Sequence, residues 1–243
     1  MKTFKEFITE AKKKSIPIRL GLFKHKNLKE NASAEDSNKL HHSLSKYYNK
    51  YTDEHKHGIH QYTWESHDMN HELHKNAGHL DPKKHVAEHK LMKKTEEFVH
   101  AHKTPHDMYV YTGIHKAHEL TRHVPKAGTD KPIEIHHHGY TSTSLDKHIA
   151  REFTHNSSDN DKEEHHHIIK IHVPKGHHGA YIAHHSVIDS GGEGGKGSAG
   201  EREKEFVLPK GIKLHVHPQP TVAYQHKGGK VIHHVTWHAK VAK

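Results

Sequence analysis

The chain contains no cysteine. That excludes disulfides, thiolate metal sites, iron–sulfur clusters and cysteine nucleophiles, and leaves the redox compartment open. Apolar residues are scarce, at 31% of the sequence against roughly 45–50% in ordinary soluble domains, and the mean hydropathy is -1.02. No run approaches the roughly 20 apolar residues that cross a bilayer, so no membrane partner is expected. The first residues lack the apolar stretch of a secretory signal. Arginine is confined to Arg19, Arg122, Arg151 and Arg202. Histidine is abundant, with 37 among 243 residues, and 38 Lys+Arg against 29 Asp+Glu give a net charge of +9 before any imidazole is counted. Nine Tyr, six Phe and two Trp, together with clear strand patterns, argue against disorder. The length fits one domain of about 200 residues plus a tail.

Met1–Lys14 reads MKTFKEFITEAKKK, where Phe4, Phe7 and Ile8 share one face of a short amphipathic helix. Residues 11–34 read as a basic linker. Helical periodicity follows over residues 35–104, through Leu40, Leu44, Tyr47 and Tyr48 and again through Val86, Leu91, Met92, Thr95, Phe98 and Val99. Ser33 or Ser37 is expected to cap the first of these helices. Asp81-Pro82 is expected to open the last one, and Pro105 ends it. The period then becomes two. Met108–Ile114, Ile168–Val173, Phe206–Leu208, Ile212–Val216, Thr221–Tyr224 and Val231–Trp237 are predicted strands. In Ile168–Val173 the apolar residues alternate with Lys170 and His172, which predicts one buried and one solvated face. Ser157–Glu164 and Ser190–Gly200 read as loops, and Gly228-Gly229 as a hairpin turn. Residues 35–243 are therefore expected to form one α+β domain, helical over 35–104 and β-rich over 105–243.

Three elements carry chemistry: Tyr109-Val110-Tyr111-Thr112-Gly113, then Gly139-Tyr140-Thr141-Ser142-Thr143-Ser144-Leu145 with Ala150 and Phe153, then Glu203-Lys204-Glu205-Phe206-Val207-Leu208-Pro209. In this order they resemble the mono-ADP-ribosyltransferases of the Arg–Ser–Glu type, toxin-like and tailed-phage-like. The stretches Ile59-His60-Gln61-Tyr62-Thr63 and Met69-Asn70-His71-Glu72-Leu73 are similar to that family's helical region. The resemblance spans about residues 38–217 and implies helices packed on a mixed β-sandwich core. It also implies NAD+ as substrate, with no metal required. By the family pattern Glu205, Glu203 and Ser142 are the catalytic residues. Thr112, Gly113, Ser142, Thr143 and Ser144 would line the NAD+ site, and Arg122 is a candidate for its pyrophosphate.

The residue types suit the task. Cleavage of a nicotinamide–ribose bond passes through an oxocarbenium-like state, as glycoside hydrolysis does, and a carboxylate beside that sugar stabilises the developing charge. By the family pattern Glu205 has this position. Glu203, two residues earlier on a segment expected to be extended, would point to the same side and face the acceptor, which the family pattern implies to be arginine. One residue departs from the pattern: Thr112 stands where the family has an arginine, and threonine cannot supply bidentate hydrogen bonds to phosphate. Arg122, His115 and Lys116 lie close downstream. The loop 190–200 corresponds to the one that shapes acceptor recognition.

Histidine pairs and triplets such as His136-His137-His138 and His165-His166-His167 raise a metal role. No ligand spacing such as His-Glu-x-x-His is present, and the histidines are expected to coat the surface. The resemblance thus implies an enzyme that moves ADP-ribose from NAD+ to a bacterial host protein. Ile8-Thr9-Glu10 before Ala11 resembles a phage prohead protease site. This implies a propeptide over 1–10, packaging in the virion head and delivery into the host cytoplasm. The rival readings are a non-catalytic module that keeps the fold and a histidine-rich, metal-binding virion protein. No nucleic-acid motif is present.

Overall fold

The computed structural model describes residues 34–114, 132–154, 157–160, 163–186 and 203–242. The expected propeptide, all of the basic linker but Ala34, Arg122 with its neighbours His115 and Lys116, and the loop 190–200 lie outside them. Three helices come first: α1 (Ala34–Tyr48), α2 (Asp53–Lys75) and α3 (Val86–His100). Thr52 caps α2 by accepting from the His55 N–H at 3.3 Å, and Asp53 and Glu54 place negative charge at its positive end. Ser37 does not stand at the start of α1, which begins at Ala34. Its buried hydroxyl instead donates to Asp146 and receives the Lys204 ammonium. Asp81 does not open α3 either. It closes a turn by accepting from the Lys83 N–H at 2.9 Å, and the helix begins beyond it at Val86.

Ten strands follow among the described residues, with a short helix, α4 (Lys147–Glu152), after the third. In chain order they are β1 (Met108–Gly113), β2 (Ile133–His137), β3 (Thr141–Ser144), β4 (Ser157–Asn160), β5 (Glu163–Val173), β6 (Ala180–Tyr181), β7 (Glu205–Leu208), β8 (Ile212–Val216), β9 (Thr221–Lys227) and β10 (Lys230–Val241). They form one mixed, largely antiparallel sheet in the order β2-β8-β10-β5-β1-β3-β7-β6. The parallel pair β5–β10 is its spine, running from Glu163 opposite Val231 to His172 opposite Lys240. The free edge of β10 is shared, β9 taking residues 230–236 and β8 residues 239–241. The free edge of β5 is likewise shared by β4 and β1. Gly228 and Gly229 join β9 to β10 with φ of +59° and +78°, the backbone that a two-residue hairpin needs.

The segment 157–164, expected as a loop, supplies β4 and the start of β5. β2 is not legible in the sequence, because only Ile133 and Ile135 mark it. The core runs through Phe98, Ile171, Phe206, Leu214 and Trp237, all fully buried. Lys170 and His172 are buried too, which corrects the expectation of a solvated face. The Lys170 ammonium sits 4.0 Å above the Tyr109 ring, and His172 packs against the same ring. The histidines are not all on the surface: His165, His167, His172, His217 and His233 are buried.

Candidate active site

β3 and β7 pair antiparallel, with Ser142 opposite Val207 and Ser144 opposite Glu205. Side-chain hydroxyls of β3 tie the pair together. The Thr143 hydroxyl donates to the Phe206 carbonyl at 2.5 Å, and the Ser144 hydroxyl donates to the Glu203 carbonyl at 2.6 Å. The Ser142 hydroxyl donates to the Glu205 carboxylate in a short bond. Since the Ser142 proton is committed to Glu205, the Tyr62 hydroxyl, 3.2 Å away, is the donor to Ser142. Tyr62, Ser142 and Glu205 therefore form one chain from α2 to β7. Tyr62 is buried between Phe98 and Tyr140. Burial and then the Glu205 charge keep its phenol protonated.

Burial pushes the Glu205 carboxyl up to about 7. The Ser142 hydrogen bond pulls the other way, and the Glu203 charge adds to the rise. Glu203 reaches the same cleft by another route than the one expected. The extended segment begins only at Glu205, and Lys204 takes a left-handed backbone with φ of +48°. Such a conformation costs about 1–3 kcal/mol in a residue with a side chain. Lys204 is held there by its ammonium, which donates to Ser37 at 2.7 Å and to Asp146 at 3.4 Å. Asp146 also caps α4 through the His148 N–H at 2.9 Å. Burial works against its ionisation, but that N–H and the Lys204 charge hold its carboxyl below the usual range.

Tyr62, Glu203 and Glu205 line a cleft of about 620 Å³, within the roughly 300–1,000 Å³ of small-molecule sites. Ser142, Thr143, Ser144, Glu203, Glu205, Thr112 and Gly113 all face it. A Cβ on Gly113 would lie 2.7 Å from the Ala150 carbonyl oxygen, so only glycine lets β1 pass this close to α4. One wall is the face of α2 that carries Thr63, Ser66 and Asn70. The Asn70 side-chain oxygen accepts from the Tyr140 N–H at 2.9 Å, which fixes the approach to β3. Tyr62 and Asn70 are legible in the sequence only as part of the resemblance, and Asp146 not at all, although an aspartate before a short helical run is a capping signal. Among the described residues, no group of three or more histidines and carboxylates is placed to hold a metal ion.

The family model of ADP-ribosyltransferase exoenzymes matches residues 37–236. The chain belongs to this family. Its fold is that of the ADP-ribosyltransferase toxins. The C3 exoenzyme of Clostridium limosum is 18% identical, with a TM-score of 0.56 over 89% of this chain and 98% of that one. A C3 protein from S. aureus, solved with NAD, is 20% identical, with a TM-score of 0.55 over 89% and 99%. An ADP-ribosyltransferase toxin from Paenibacillus larvae is 18% identical, with a TM-score of 0.55 over 86% and 96%. Among curated proteins none matches. The enzyme class, NAD+-dependent transfer of ADP-ribose, follows from the family.

Proposed function

We propose that this ADP-ribosyltransferase moves ADP-ribose from NAD+ to an arginine side chain of a bacterial host protein. The observation that carries the reading is the convergence of Glu203 and Glu205 on one cleft, with Ser142 bonded to Glu205. Glu205, ionised, stabilises positive charge on the ribose as the bond from its C1 to nicotinamide breaks and the bonding pair leaves with the neutral base. Ser142 and Tyr62 hold that carboxylate in place. Glu203 faces the acceptor and takes a proton from the guanidinium as its nitrogen bonds to C1. Thr112, Gly113, Thr143 and Ser144 shape the NAD+ side of the cleft.

Glu205→Ala is expected to lower transfer of labelled ADP-ribose to host lysate by about 100-fold or more. Glu203→Ala should lose transfer and keep NAD+ hydrolysis; equal loss of both removes its acceptor role. Mass spectrometry of the labelled lysate identifies the acceptor residue, and a modified residue other than arginine overturns that part of the reading. We further infer, from Ile8-Thr9-Glu10 before Ala11, trimming by a phage prohead protease and passage from the virion to the host cytoplasm. Protein from purified particles should then begin at Ala11.

A further inference from the structure

The two glutamates of the cleft have different supports. Glu205 lies inside β7, opposite Ser144 of β3, and its carboxylate is bonded to Ser142. Glu203 lies outside the sheet, and a turn sets its place. Two backbone bonds flank that turn: the Leu145 N–H donates to the Lys204 carbonyl and the Ile182 N–H to the Glu205 carbonyl, both at 3.1 Å. From β3, the Ser144 hydroxyl donates to the Glu203 carbonyl at 2.6 Å and accepts from the Asp146 N–H at 3.0 Å.

The remaining tie is made by a side chain. Glu203 and Glu205 line the cleft, whereas Lys204 between them does not. Its ammonium runs instead to the first turn of α1, where it donates to the buried Ser37 hydroxyl at 2.7 Å and to Oδ2 of Asp146 at 3.4 Å. Ser37 donates to the same Oδ2 at 3.1 Å, while Oδ1 caps α4. The side chains of Lys204 and Asp146 are only 12% and 13% exposed, so solvent screens this pair less than a surface one. Glycine is the residue that a φ of +48° favours. Lysine fits here through its ammonium, which offsets the backbone cost.

We propose that Lys204 is a positioning residue for the acceptor step: its tether to Ser37 and Asp146 holds the turn that aims Glu203 into the cleft, so that transfer to arginine depends on the docking of α1 while cleavage of NAD+ does not. The inference rests on the arginine-transfer reading above, in which Glu203 takes a proton from the guanidinium. With Glu203 displaced and Glu205 still held by the sheet, water bonds to the ribose C1 in place of the guanidinium nitrogen. The products are then free ADP-ribose, nicotinamide and a proton.

The test compares transfer of labelled ADP-ribose to host lysate with release of nicotinamide in its absence, using the full chain. Lys204→Met keeps the aliphatic stem and removes the charge. Asp146→Asn removes the charge on the other side and keeps a cap on α4, since asparagine caps as well as aspartate. Both should lower the ratio of transfer to hydrolysis by about tenfold or more, the scale of a displacement near 1 Å. Ser37→Ala should shift the ratio the same way by less. The KM for NAD+ should stay at its wild-type value in all three, and the remaining hydrolysis shows that each is folded. A parallel fall of transfer and hydrolysis, or an unchanged ratio in Lys204→Met, overturns the tether. The arginine reading then still stands if Glu203→Ala loses transfer. Transfer that survives Glu203→Ala overturns both.

Discussion

Glu205 must be ionised to meet a cationic ribose, yet its surroundings favour the proton. With the carboxyl pushed up to about 7 by burial, the maximal rate at saturating NAD+ is expected to fall as pH drops below about 7. Ser142→Ala removes the hydrogen bond that holds the carboxylate down. The acid limb of the pH–rate profile should therefore move upward, with a larger loss near pH 6.5 than near pH 8.5; an unmoved limb would mean that Ser142 acts only sterically. The same raised pKa has a stability consequence. Between the ordinary carboxyl pKa of about 4.3 and the folded value of about 7, the folded state binds more protons than the unfolded one. Stability from this residue is thus lost as pH rises.

At the scale of elements, the cleft depends on a joint between β7, β3, α4 and α1 that centres on Asp146. One carboxylate caps α4, receives Ser37 from α1 and pairs with Lys204. Loss of a cap alone costs about 1 kcal/mol, and leaving the part-buried Lys204 ammonium without this partner adds to it. Asp146→Ala should lower the urea midpoint accordingly. It should also lower transfer more than NAD+ binding, because Lys204 positions Glu203 and not the nucleotide wall. Equal effects on both would show general loosening. The sequence is informative where one period dominates a run: Met108–Gly113 and Ile212–Val216 are legible at nearly their full extent. It misleads where a local signal has two uses. Asp81-Pro82 reads equally as a helix start and as a turn, and Glu203-Lys204-Glu205 reads as extended unless the left-handed Lys204 is known. That conformation is imposed by Ser37 and Asp146, more than fifty positions away in sequence. Ser142, Tyr62 and both glutamates are legible because they match a family's motifs, while Asp146 takes its place only through contacts that folding creates.

Across the whole molecule, histidine does more than coat a surface. His165, His167 and His233 lie inside the sheet along the β5–β10 spine, with His165 and His233 stacked at 4.3 Å. Trp237 donates to Nδ1 of His167 at 3.3 Å, a bond that needs the lone pair of an unprotonated nitrogen. Burial, followed by repulsion from its histidine neighbours, lowers the His167 pKa to about 4. Below the ordinary histidine value near 6.5 the unfolded chain takes up a proton that the folded chain refuses, so stability falls as pH drops toward 4. His167 alone contributes a loss of about 2 kcal/mol between pH 7 and pH 5. Urea unfolding should show a lower midpoint at pH 5, and His167→Gln, which keeps an acceptor for Trp237, should reduce that difference.

The placement of β10 has a consequence for the order of events as the chain is made. Every residue of the cleft, from Tyr62 to Glu205, precedes β10, yet β10 is the partner of β5, β8 and β9 together. Its pairing with β5 joins residues some seventy positions apart, a contact whose loop must close before it is rewarded. Until that strand is synthesised and inserted, the sheet that carries β1, and with it Thr112 and Gly113, lacks its central support. A nascent chain short of β10 thus holds every residue of the cleft on an incomplete sheet, and activity is expected only once β10 docks.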